Sequence, residues 1–465
     1  MPVAPLPKAA LSQPLPPLLH LLDRLASGTV SARALVEACL ARIEDPQGQG
    51  RATFTKVHAE RARREADAVD QRRRSGHHVP KLAGLPVSIK DLFDLEGDVT
   101  TAGSVVLRDL PPAAADAPAV ARLREAGCIV IGRTNMTEFA YSGVGLNPHY
   151  GTPLSPFDRE SRRIPGGSSS GAAVAVSDGM CAASLGTDTA GSVRIPASFA
   201  GLVGFKPTAW RVSRKGAIPL STTLDSVGPL GRTVSCCALL DATLAGMETR
   251  SEPPHGPKGL RLLVPTTLVL DNLDQHVATA FERTLSALAN AGAKIMHAPI
   301  PELARLPQLN SRGGIAAAEA YAWHKDLLER RGADYDPRVS MRILKGRDLS
   351  AADYQDLLRE RTEITQRVGL LAATFDAMAL PTVPIVAPRI AQFDSDEQYV
   401  ALNALVLRNT GIANFLDRCA ISLPVHREGE APVGFMLMGE HGADRTLLSI
   451  ATGIEPHICP AIVAT

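Results

Sequence analysis

From Ser31, a residue able to cap a helix, the run Ala-Arg-Ala-Leu-Val-Glu-Ala-Cys-Leu-Ala-Arg-Ile-Glu places Leu35, Cys39 and Ile43 at i, i+4 and i+8. Three apolar side chains at that spacing share one face, which predicts a helix to about Glu44. A second helix is expected from His58 to Arg74, polar enough that its charges form a solvated face. Beyond Gly84 the pattern changes. Short apolar runs bounded by Gly or Pro, Leu85 to Ile89, Cys128 to Ile131 and Leu260 to Val264, read as buried strands of a mixed sheet. Helical stretches fall between or after them: Ala117 to Ala126, Ser170 to Ser177, Asp274 to Ala291 and Ala443 to Thr452. That order is α/β. The Pro/Ala-rich start, to about Gln13, reads as loosely ordered. No fixed-period repeat is visible, and neither the Pro/Gly-rich segment Ser251 to Gly259 nor the charged helical region from about Gly313 to Thr374 marks a domain break. We expect residues 1–75 to pack as a helical segment on a core formed by 76–465, with a helical insertion near 313–374 as a lobe over the site.

Length and charge narrow the function. At 465 residues the chain has room for a large core and up to about three domains. Its 45% hydrophobic and 21% charged content excludes a disordered chain. A net charge of +1 gives no long-range attraction to nucleic acid or anionic lipid, so neither is an expected partner. Cys39, Cys128, Cys181, Cys236, Cys237, Cys419 and Cys459 are odd in number and contain no CxxC pair, which suggests buried thiols in a reducing compartment. With no bilayer-length apolar run, a cytoplasmic protein is expected.

The most unusual composition lies between Ile164 and Pro207, where two Gly/Ser turns each open onto a helix. Unpaired N–H groups at a helix start, approached closely over Gly, suit an anion or oxyanion. A phosphate loop would need a Lys that is missing between Asp158 and Phe205. The GxGxxG dinucleotide fingerprint is incomplete at Gly143-Val-Gly145. Gly167-Ser-Ser-Ser-Gly171 meets the GxSxG elbow formally, yet Arg162-Arg-Ile-Pro165 ahead of it is no apolar strand. A serine can instead use a lysine held neutral by burial, and Lys90 ends the apolar run Leu-Pro-Val-Ser-Ile-Lys. Neither His149 nor His77-His78 has metal-ligand spacing. Cys236-Cys237 reads as core or surface thiols and not as a site, and Trp323 and His324 as helix packing.

Four ordered motifs carry a resemblance: Gly84-Leu-Pro-Val-Ser-Ile-Lys-Asp91, Gly166-Gly-Ser-Ser-Ser-Gly171, Gly186-Thr-Asp-Thr-Ala-Gly-Ser-Val-Arg-Ile-Pro196 and Gly201-Leu-Val-Gly-Phe-Lys-Pro-Thr208. Together they resemble the amidase signature family, strongly over about Leu82 to Val234 and weakly beyond, as in Ala379-Leu-Pro-Thr-Val-Pro384 and Val433-Gly-Phe-Met-Leu-Met-Gly439. The resemblance implies a mixed, largely parallel central sheet flanked by helices on both faces. It also implies a Ser-cisSer-Lys triad with nucleophile Ser192, bridging Ser168 and base Lys90, and a cis peptide between Gly167 and Ser168. The oxyanion would be held by the backbone N–H groups of Thr189, Ala190, Gly191 and Ser192, with Gly167, Ser169, Asp188 and Arg194 in support. Ser169 and Ser170 read as loop hydrogen-bonders. No cofactor or metal is expected.

The chain departs from the pattern at Ala190, where many members carry Gly; a positive φ there would distort the turn, and we expect a compatible one. Met136 and Tyr141, in and after Gly132-Arg-Thr-Asn-Met-Thr-Glu-Phe139, are expected to border the acyl pocket. The implied reaction is hydrolysis of a carboxamide to an acid plus ammonia or an amine through a serine acyl-enzyme. Competing readings are the glutaminase subunit of a tRNA-dependent amidotransferase, suggested by Arg211-Val-Ser-Arg-Lys-Gly216 and Leu224-Asp-Ser226, an allophanate hydrolase-like enzyme, and a non-catalytic binding protein on the same fold. A homo-oligomer is compatible with each.

Overall fold

Eleven strands form one sheet in the computed structural model, which describes residues 15–247 and 252–459. They are β1 (Phe54–Val57), β2 (Pro86–Lys90), β3 (Ile129–Thr134), β4 (Ala183–Asp188), β5 (Val203–Lys206), β6 (Ser226–Gly231), β7 (Arg261–Pro265), β8 (Lys294–Ala298), β9 (Ala377–Pro381), β10 (Ala420–Pro424) and β11 (Gly434–Met438). Their order across the sheet is β1-β3-β2-β4-β6-β5-β10-β11-β9-β7-β8. The three apolar runs of the sequence are β2, β3 and β7. In β2, β3 and β4 every residue is buried, so both faces are covered. The Pro/Ala-rich start lies outside the described residues.

The fold is α/β with a mixed sheet, but it is not largely parallel. Four pairings are parallel, β3-β2-β4 at one end and β9-β7-β8 at the other. Six are antiparallel. Parallel neighbours need long crossovers, whereas antiparallel ones can be joined directly, as where β10 turns back into β11 across residues 425–433.

Local signals set the helices. Ser31 accepts the Ala34 N–H at 3.0 Å and starts the helix Ala32–Glu44, whose Leu35, Cys39 and Ile43 are buried. The polar helix is Ala59–Arg74, and its Asp70 accepts the N–H groups of Ala32 and Arg33, clamping the two helices together. The last helix runs on from the expected Thr452 to Ile458, because Ile454 and Ile458 are buried in the core and outweigh the stop signals of Gly453 and Pro456. Between β8 and β9 lie the helices Gly314–Arg331, Pro337–Leu344 and Ala351–Ala372. Among the described residues no helix is long and apolar enough to cross a membrane.

Candidate active site

Parallel strands deliver their last residues to one edge of a sheet, where ligands of α/β proteins gather. Lys90 ends β2 and Asp188 ends the parallel neighbour β4. The turn 164–169 leads into the helix Ser170–Ser177, and the turn 189–193 into the helix Arg194–Ala200. The two turns are tied together, since the Ser169 N–H donates to Ser192 O at 3.2 Å.

Lys90 is fully buried, and its Nζ donates to Ser168 Oγ at 2.7 Å and to Thr187 Oγ1 at 2.8 Å. Burial pushes its ammonium down to about 7, against the opposing pull of Asp188 and Asp225. Ser168 follows a cis peptide bond from Gly167, and its carbonyl accepts the Thr137 N–H at 3.0 Å. Gly167 is sterically required, because a Cβ there would lie 2.6 Å from Gly145 N. Ser169 Oγ–H donates to Thr187 O at 3.4 Å and Ser170 Oγ–H to Asn135 O at 3.5 Å.

The second turn is organised by a buried ion pair. Arg194 meets Asp188 through Nη2–Oδ1 at 2.8 Å and Nε–Oδ2 at 3.0 Å. Burial alone would raise the Asp188 carboxyl, but the Arg194 charge and hydrogen bonds outweigh it and hold the group at about 2. The same carboxylate accepts the N–H groups of Gly191 at 2.8 Å and Val193 at 3.1 Å. This corrects the expected oxyanion hole. The Gly191 N–H is already committed to Asp188, which leaves Thr189, Ala190 and Ser192 as the candidate donors. Gly191 takes the positive φ of +126°, and a Cβ there would lie 2.1 Å from Thr410 Oγ1. Ala190 does not adopt a positive φ, so its methyl group brings no backbone strain.

Ser192, Thr189 and Ala190 line a cavity of about 650 Å³, together with Tyr141. Met136 does not. It is fully buried in the core, and its carbonyl accepts the Asn147 side chain at 2.7 Å, so it is no pocket residue. Trp323 and His324 pack on the ring of Phe139, as helix packing requires. His149 pairs with Glu138 at 2.9 Å, and Cys236 and Cys237 are buried thiols.

Four supporting residues escape the sequence reading. Thr187 holds Lys90. Asp225, whose carboxyl burial pushes up to about 6, accepts the Thr189 hydroxyl at 2.5 Å. Thr410 donates to Ala190 O at 2.7 Å. Asn414 donates to Asp188 O at 2.8 Å and accepts from Arg194 Nη2 at 2.7 Å. Thr187 and Asp225 stand inside motifs already singled out, whereas Thr410 and Asn414 carry no local signal.

Comparison with known proteins identifies the family of the chain. The family model for Amidase matches residues 34–448. The chain is 39% identical to a 2-amino-5-chloromuconic acid deaminase of Comamonas testosteroni over 93% of its length and 94% of that protein's. It is 38% identical to the 1-carboxybiuret hydrolase subunit AtzE of Pseudomonas sp. (strain ADP), over 80% of this chain and 82% of that one. A crystal structure of an amidase superposes with a TM-score of 0.86 at 33% identity, covering 95% of this chain and 100% of the other.

Proposed function

The chain belongs to the amidase family and is a hydrolase of amide bonds, and from that premise we propose that Ser192, Ser168 and Lys90 carry out the reaction. Ser192 Oγ attacks the carboxamide carbon while its proton passes to Ser168 Oγ, and the Ser168 proton passes to the lone pair of Lys90 Nζ. The C–O bond forms, the C–N bond breaks, and the relay runs backwards to protonate the departing amine. Water repeats the cycle on the acyl-enzyme and releases the acid. The N–H groups of Thr189, Ala190 and Ser192 stabilise the oxyanion, each such donor being worth about 3 to 4 kcal/mol in comparable sites.

The observation that carries this reading is the buried Lys90 amine, pushed down to about 7 and bonded to Ser168 at 2.7 Å. A lysine so placed is neutral at the pH where it must act as a base. Its second bond, to Thr187, aims Nζ at Ser168 rather than at solvent. We place the reaction in a reducing, cytoplasmic compartment, a reading supported by seven free, buried cysteines.

A panel of primary amides assayed for ammonia tests the proposal, with Ser192→Ala and Lys90→Ala run beside the wild type. We expect both substitutions to abolish release; ammonia release indifferent to either would overturn the triad. Ammonia released only after a tRNA-binding partner is added would instead favour the amidotransferase subunit.

A further inference from the structure

The cavity that holds Ser192 has an unbalanced wall. Arg342, Lys345 and Arg408 line it, and among the described residues lining it there is no Asp or Glu. Nor do the first two find a carboxylate elsewhere, for among the described residues none lies within ion-pair distance of Arg342 or Lys345. The Arg342 guanidinium lies over the Tyr141 ring, 4.7 Å from its centroid. Such stacking leaves the edge of the guanidinium, with its fork of N–H donors, for another partner. Tyr141 beside it is a phenol that burial pushes up to about 12, so it remains a hydrogen-bond donor. Lys345 follows Arg342 by three residues, where the helix Pro337–Leu344 tightens into its last turn, and is exposed at the cavity rim. Arg408 comes from a different element, just past the helix Asp396–Leu407. It is partly engaged by Asn409 Oδ1 at 3.1 Å, and Asp271, the acid that acts on it, does not line the cavity.

Of the three, Arg342 is partly buried and without a counter-charge, a placement that is costly unless a ligand supplies one. A cavity lined by one sign of charge concentrates ligands of the other. The rest of the lining is largely apolar, including Leu220, Leu224 and Phe415, which suits a short hydrocarbon between two polar ends.

We propose that the substrate is an acidic amide, a monoamide of a dicarboxylic acid, whose carboxylate is bound by Arg342 with Lys345 and Arg408 adding to the positive wall while its carboxamide is presented to Ser192. The inference rests on the amidase reading above and extends it to a substrate class. Arg342 is the specificity-determining residue, since its planar fork matches a carboxylate through two parallel bonds and, unlike that of Arg408, is not engaged by Asn409 Oδ1 or Val269 O.

Two measurements test it. The first compares kcat/KM for succinamate and glutaramate with that for the neutral butyramide and valeramide. The wild type should prefer the acids roughly 10- to 100-fold, as a charge-assisted hydrogen bond allows, and Arg342→Gln should cut that ratio about tenfold. Lys345→Gln, altered at the exposed rim where folding is indifferent to it, should cut the ratio less, and it carries the test should Arg342→Gln fail to fold. Equal rates for acid and neutral amides, or a ratio that neither substitution changes, overturns the proposal. The second titrates glutarate into the Ser192→Ala protein by calorimetry, where Arg342→Gln should weaken binding about tenfold. Because this arm needs no turnover, failure of the triad assignment, seen as ammonia release that survives Ser192→Ala, is distinguishable from failure of anion recognition, seen as glutarate that does not bind.

Discussion

In the proposed relay Lys90 sets the pH dependence. Its ammonium titrates at about 7 in the folded protein because burial penalises the charged form, and only the neutral amine can take a proton from Ser168. Activity must therefore rise as pH rises through about 7. We expect an ascending limb of kcat/KM there, and a profile flat from about pH 5 to 9 would exclude Lys90 as the base. Asp225 opposes the downward shift, so Asp225→Asn should move the limb to lower pH. The ion pair next to it makes a separate prediction. Asp188 and Arg194 are both fully buried, and Asp188→Asn leaves a guanidinium without its counter-charge, which should cost about 3 to 5 kcal/mol in denaturant unfolding. The residues legible in the sequence are those whose chemistry is contiguous, such as Ser168 inside a Gly/Ser run. Asn414 reaches Asp188 across 226 positions of sequence, and no local pattern reports a contact of that range.

Elements were legible where a single signal decided them. Ser31 caps a helix in the structure as its position in the sequence suggests, and the continuous apolar run ending at Lys90 is a strand buried on both faces. The last helix continues past the expected Thr452 to Ile458, through Gly453 and Pro456, residue types that commonly end a helix. Gly453 is there for a different reason: a Cβ would lie 2.2 Å from His255 O, so the residue serves a close approach and does not end the helix. The link between helix Gly314–Arg331 and the site is also invisible to local reading. Glu319 of that helix accepts the hydroxyls of Ser221 and Thr223, the Thr223 N–H at 3.1 Å and the Tyr354 hydroxyl at 2.7 Å. It thereby fixes the loop that carries Leu220 and Leu224 into the cavity wall and Asp225 to Thr189. Glu319→Ala should lower stability by roughly 1 to 3 kcal/mol through the orphaned donors. It should also raise KM more than it lowers kcat, measured by thermal unfolding and steady-state kinetics.

For the whole molecule, net charge is a poor guide to the site. The balance of 49 basic against 48 acidic residues excludes long-range steering of polyanions, and it conceals a cavity whose charged lining, among the described residues, is entirely basic. Arg342, Lys345 and Arg408 are unexceptional among their neighbours in sequence; only the folded sheet and its helices bring them to one wall. The sheet shows a similar limit, since apolar runs mark buried strands without stating the direction of their neighbours, and antiparallel pairs such as β5–β10 join strands far apart in sequence. Near-neutrality has one useful consequence. Raising ionic strength screens all charges alike, but a molecule with a net charge of +1 has almost no global field to lose, so any salt effect on kcat/KM reports the cavity. Rates with glutaramate should fall roughly two- to fivefold between about 20 and 500 mM salt, the modest loss expected of partly buried charges that screening reaches incompletely. Rates with valeramide should not change over the same range. If both substrates lose activity together, the effect belongs to the fold and the basic wall plays no part in recognition.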